Sequence, residues 1–127
     1  MKWLAAGVLI FVVAIVGIAL IAAGRPGQVS PGASIEIRMT EMRFSPNRLD
    51  LRAGESVTIR LVNSGAQRHD LAFPARGMPG LLGLETNLEP GQTTTFRLKF
   101  DEPGTFVFVC TLPGHAVAGM TGAAFVR

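Results

Sequence analysis

Cysteine and histidine are scarce in these 127 residues, with one of the first and two of the second. A lone cysteine excludes an internal disulfide, so Cys110 is either buried, bound or open to oxidation. Runs of like charge are missing as well. Lysines, arginines and acids alternate in sign along the chain, which excludes a nucleic-acid face or an acidic tail. The formal charge is +3, and +2 once the N-terminal segment with Lys2 is set aside. From residue 34 onward no stretch has the periodicity of an amphipathic helix, which argues against helix-bundle classes.

One long apolar run is present, at the start. WLAAGVLIFVVAIVGIALIAA, residues 3–23, has no charge and as a helix would span about 31 Å, the thickness of a bilayer core. Residues 1–24 are therefore expected to be an N-terminal membrane anchor or a signal segment. The length favours an anchor, and the only passable cleavage site is Ala22-Ala23-Gly24. Lys2 places the N-terminus weakly in the cytoplasm and everything beyond residue 24 outside it. Residues 25–33, within GRPGQVSPGAS, are expected to be a flexible Gly/Pro linker that lets the domain at 34–127 sample the membrane surface.

That domain has period-two patterning broken by turn residues. SIEIRMT (34–40), RLDLR (48–52), SVTIRLVN (56–63), HDLAF (69–73), QTTTFRLKF (92–100), TFVFVC (105–110) and GAAFVR (122–127) are the strand candidates. TFVFVC has the near-continuous apolar character of a strand buried on both faces. Six to eight short strands in about 95 residues imply an all-β fold, an antiparallel sandwich or Greek-key barrel. Phe44, Phe73, Phe96, Phe100 and Phe125 are expected in its core, with Met39, Met42 and Met78 as strand or loop packing. Phe106, Phe108 and Cys110 lie two apart and share a face, which puts the thiol at the end of the core.

After that strand comes VCTLPGHAVAGM, residues 109–120, which places Cys110, His115 and Met120 five residues apart among prolines and glycines. Pro113-Gly114 turns the loop back and Gly119 lets it bend again, so three side chains can converge. Thiolate, imidazole and thioether are the donor set suited to copper, and a His₂Cys plane with a long axial Met is a blue-copper site. The remaining histidine, His69, opens a short strand able to pair near the end of TFVFVC. Taken singly, each residue is more often a packing or hydrogen-bonding residue than a ligand. Their joint spacing, the Pro-Gly turn and the absence of spare His or Cys reverse that balance.

The Cys-x₄-His-x₄-Met ending after GTFVFVC resembles the cupredoxins, the type 1 blue copper proteins of the plastocyanin, azurin, auracyanin and rusticyanin kind. The resemblance covers residues 34–127, and the loop spacing is closer to that of rusticyanin and auracyanin than to plastocyanin's. It implies a Greek-key β-sandwich with one copper ion, cycling Cu(I) and Cu(II), held by His69, Cys110, His115 and Met120. It further implies that the residue after the first histidine locks the two ligand segments together near the sulfur. Often Asn or Ser, that residue is here Asp70, whose carboxylate like-charge repulsion would turn from a thiolate toward backbone amides.

The resemblance also implies a monomeric carrier, not an enzyme, that passes single electrons between redox partner proteins at the outer face of the cytoplasmic membrane. Docking would be transient and through an apolar patch around His115, formed by Pro113, Ala116, Val117 and Leu81 or Leu82. A copper nitrite reductase or multicopper oxidase needs further histidines, and the dinuclear copper subunit of terminal oxidases needs a second cysteine where this loop has Gly114. A hydrolytic triad has no spare histidine either. The serious alternative is an extracytoplasmic copper chaperone or store using the same four ligands. A metal-free assembly sandwich would have no use for this loop.

Overall fold

A computed structural model of the chain describes residues 32–74 and 86–127. The anchor (1–24), most of the linker, Met78 and the Leu81–Leu82 pair lie outside the described residues. Among the described residues no helix is long and apolar enough to cross a membrane.

Among the described residues seven strands form two sheets. They are β1 (Ser34–Thr40), β2 (Arg43–Ser45), β3 (Arg48–Leu51), β4 (Ser56–Asn63), β5 (Thr93–Lys99), β6 (Gly104–Val109) and β7 (Thr121–Val126). One sheet has the order β2-β1-β4-β5, the other β3-β7-β6. Alternation decides which side chains face between them: Val57, Ile59 and Leu61 of β4 are buried, as are Phe96 and Leu98 of β5 and Leu49 and Leu51 of β3. The arginines of the same strands point to water, where Arg60 pairs with Glu36 and Arg48 with Asp50.

The expected all-β sandwich is found, with antiparallel pairing for β1–β2, β4–β5 and β6–β7, but two pairs run parallel, β1 with β4 and β3 with β7. After the β1–β2 hairpin the chain crosses to the other sheet as β3 and returns as β4 alongside β1, running the same way. Period-two patterning reports which face is buried and carries no information on strand direction. The TFVFVC strand is likewise not buried on both faces. Phe108 is fully buried, but Val107 is 48% exposed on the other side of the pleat. Phe125 also departs from the core expectation, being half-buried beneath the Arg48 guanidinium, 3.8 Å above its ring.

A chain of phenylalanines joins the sheets below the Cys110 end. Phe106 stacks on Phe100, Phe100 meets Phe73, and Phe73 and Phe44 both pack on Phe108, with ring centroids 4.4 to 5.5 Å apart. Phe44, Phe73 and Phe108 are among the largest fully buried side chains, and each contributes roughly 1.5–3 kcal/mol by burial. This aromatic floor fixes the strand that ends at Cys110 and the segment that carries His69.

Candidate metal centre

Two segments meet at one end of the sandwich. Residues 69–73, expected as a strand, form isolated bridges instead: His69 pairs with Leu88, and Ala72 with Val109 at the end of β6. The second bridge is made by Ala72 N–H to Val109 O at 3.0 Å and its reciprocal at 2.9 Å. It holds the His69 segment one residue from Cys110.

The loop after Cys110 closes on itself through its backbone. His115 N–H donates to Leu112 O, Met120 N–H to His115 O at 3.0 Å, and Cys110 N–H to Met120 O at 3.1 Å. The main chain of Met120 is thus bonded directly to those of both Cys110 and His115. Gly114 and Gly119 adopt φ of 80° and 107°, a region closed to most side chains, so the bends expected at these positions depend on glycine.

The side chains converge. His69, Cys110 and Met120 are fully buried and His115 is half-buried. The Nδ1 of His115 lies 3.4 Å from Cys110 Sγ and 3.3 Å from His69 Nδ1. One ligand atom from each of His69, Cys110 and His115 falls within 4.8 Å of the others. Burial lowers the His69 pKa from its ordinary value, and the neighbouring His115 lowers it further. Burial pushes the Cys110 thiol up, against the N–H groups of Asp70 and Leu112, which favour the thiolate. Two imidazoles and a thiol facing one another make a soft donor set that a copper ion fits in place of the thiol proton.

Asp70 ties the two segments together. Its Oδ1 accepts the backbone N–H of Thr111 at 2.6 Å and its Oδ2 accepts the Thr111 hydroxyl. The acid therefore makes the cross-segment lock through the amide and hydroxyl of the residue next to the cysteine.

Three supporting residues escape a reading of the sequence. Asn63 is fully buried; its amide donates to Gln67 O and Leu88 O, each at 2.8 Å, and its Oδ1 accepts Gly65 N–H. It braces the loop that delivers His69, although in the sequence it reads only as the end of a strand. Glu41, in the β1–β2 turn, accepts Ala66 N–H at 2.5 Å and Gln67 N–H at 3.1 Å through Oε1. Thr111 supplies both donors to Asp70. None has a local signal, because each acts across more than 20 residues or through a backbone group.

The surroundings of His115 include exposed Pro113 and Val117, the latter 95% exposed, with Ala116 half-buried. The other part of the expected apolar patch, Leu81 or Leu82, lies outside the described residues.

Comparison with known proteins agrees with this geometry. The Copper-resistant cuproprotein CopI of Rubrivivax gelatinosus is 29% identical over 120 residues, covering 82% of this chain and 73% of that protein. The copper-containing nitrite reductase of Alcaligenes xylosoxydans xylosoxydans is 38% identical over 85 residues, 61% of this chain but 26% of the enzyme, so the chain spans about a quarter of that relative. Among solved structures, auracyanin A, a "blue" copper protein of Chloroflexus aurantiacus, superposes with a TM-score of 0.58 at 26% identity, covering 80% of this chain and all of that one. Residues 9–121 match the cupredoxin-like domain family, and with its two-sheet fold and a candidate copper site of His69, Cys110, His115 and Met120 the chain belongs to that family.

Proposed function

We propose that the protein is a mononuclear type 1 copper protein that carries single electrons between redox partners, with His69, Cys110, His115 and Met120 as its ligands. The observation that carries the reading is the convergence of His69 Nδ1, His115 Nδ1 and Cys110 Sγ within 4.8 Å in a buried, backbone-braced setting. Bound there, copper supplies a one-electron Cu(I)/Cu(II) couple. The chain's part is to hold donors whose positions differ little between the two states. The Asp70–Thr111 lock, the Asn63 brace and the backbone bonds of Met120 to Cys110 and His115 support that rigidity. Burial of the sulfur keeps water from the donor set.

Only His115 among the four reaches the surface, beside Val117 and Pro113, which supports a small apolar contact through which electrons pass to a partner. The apolar run at residues 3–23 supports tethering at the outer face of the cytoplasmic membrane, where a linker raises the effective concentration of the carrier near membrane partners. The role of a copper nitrite reductase or multicopper oxidase would need further histidines for a second copper centre, and both histidines of this sequence belong to the proposed one.

Copper handling is the second reading, favoured by the extent of the similarity to CopI. Against it stand the buried ligands and the lack of His-rich or Met-rich tracts suited to exchange. The two separate experimentally. A carrier loaded with Cu(II) is intensely coloured, gives a reversible one-electron wave and loses metal slowly to a chelator. Rapid loss of metal with no reversible wave would establish handling instead.

A further inference from the structure

His69 Nε2, on the far side of the ring from the candidate site, is buried and has no hydrogen-bond partner. A buried imidazole nitrogen left unpaired is destabilising, so a compensating group beside it is to be expected. The group beside it is the Glu41 carboxylate, whose Oε1 is 3.6 Å away. That gap is about 0.4 Å beyond the usual range of an N–H···O hydrogen bond and far too short for a bridging water. The same oxygen is already pinned by Ala66 N–H and Gln67 N–H, so the carboxylate is fixed against the ring by the loop that precedes His69.

Room for this approach comes from a missing side chain. A Cβ built on Gly65 would lie 2.5 Å from Glu41 Oε1 and 3.1 Å from His69 Nε2. Gly65 has no left-handed φ that would call for glycine. Its lack of a side chain is explained by the space it leaves for the carboxylate and the ring.

We propose that Glu41 is a positioning residue for His69: its carboxylate acts as the acceptor facing Nε2–H, which keeps the proton on Nε2 and fixes the imidazole in the tautomer that presents the Nδ1 lone pair to the site. Histidine ligands commonly give their second nitrogen to such an acceptor, which sets ring orientation and strengthens the donor. A role toward a bound ion rests on the copper reading above; the carboxylate–imidazole contact does not.

The test begins with the metal-free, full-length, ¹⁵N-labelled chain in detergent micelles at neutral pH, where imidazole ¹⁵N shifts report the tautomer and exchange with water reports protection of the ring proton. Wild type is expected to show His69 as the Nε2–H tautomer with a protected proton. Glu41→Ala removes the acceptor, and Gly65→Ala leaves Glu41 in the sequence but displaces its carboxylate; both are expected to lose the protection. Glu41→Gln retains an acceptor oxygen and is expected to keep it. An Nδ1–H tautomer in wild type, or full protection in Glu41→Ala or, should that variant not fold, in Gly65→Ala, overturns the proposal. A second measurement uses copper-loaded Glu41→Gln, which loses one negative charge behind the ligand and is expected to show a higher reduction potential at unchanged melting temperature. An unchanged potential would remove the influence on the ion, whereas failure of wild type to bind copper would remove the copper reading and leave the tautomer result standing.

Discussion

Asp70 accepts two hydrogen bonds from Thr111, one from the backbone N–H at 2.6 Å and one from the hydroxyl, across 41 residues of sequence. The pair joins the residue after His69 to the residue after Cys110, so it spans the two segments that any metal would have to bring together. Asp70→Ala removes the charged acceptor of both Thr111 hydrogen bonds and is expected to lower stability by about 1–3 kcal/mol. Asp70→Asn keeps an oxygen for the Thr111 amide and an N–H₂ for its hydroxyl oxygen. That variant should fold nearly as well, bind copper, and show a raised reduction potential, because a negative charge near the site has gone. Denaturant unfolding and voltammetry check the two halves. Equal stability of the Ala and Asn variants would mean the lock contributes nothing.

Gly122 of β7 lies opposite Phe108 of β6 in the strand register. A Cβ there would stand 2.2 Å from the Phe108 ring and 2.6 Å from the Asn47 carbonyl, and the ring has no free space, being buried against Phe44 and Phe73. Gly122→Ala is therefore expected to destabilise the domain by about 1–3 kcal/mol through overpacking. Since Phe108 is two residues from Cys110, the copper spectrum should broaden or shift as well. A denaturation midpoint equal to wild type would show that the floor beneath the site yields easily.

The thiolate and the axial residue have separable effects. Cys110→Ser replaces a soft donor by a hard one, and loss of the intense visible colour is the expected result on adding Cu(II). Met120→Leu removes a weak donor while keeping an apolar side chain in a fully buried position, so copper should remain bound and the potential should rise. Persistence of the colour in Cys110→Ser would exclude sulfur ligation. A potential in Met120→Leu equal to wild type would exclude an axial role for Met120.

Much of this was legible in the sequence because the relevant signals are local. SIEIRMT and SVTIRLVN announce β1 and β4 at their observed bounds, and the Pro113-Gly114 and Gly119 bends are written in residues whose backbone freedom is known in advance. Strand direction was not legible, since the parallel β1–β4 and β3–β7 pairings are set by which sheet the chain visits between strands. Phe125 was misread because an aromatic ring can be covered from the outside by an arginine as well as from within by the core. Asn63 and Glu41 were invisible for a different reason. They satisfy backbone groups of the loop before His69, and nothing in the sequence says where that loop's N–H and C=O groups point.

Acid and alkali should each destabilise the metal-free protein, for different residues. The His69 imidazole has its pKa lowered, chiefly by burial and then by His115. Unfolding releases it to titrate at its ordinary value of about 6.5, so below that pH the unfolded chain takes up a proton the folded chain refuses. Its contribution is present above about pH 6.5 and is lost as the pH falls toward the lowered folded value. The Cys110 thiol is raised, chiefly by burial, so the unfolded thiol ionises first, and stability is lost as pH rises past about 8.5 toward the folded value. The melting temperature of the apoprotein should therefore peak between these limits. His69→Gln should flatten the acid side down to the range where carboxylates titrate, and Cys110→Ser should flatten the alkaline side. A wild-type melting temperature that climbs as the pH drops from neutral to about 5.5 would contradict the burial of a neutral His69, since the linkage sign would then be reversed.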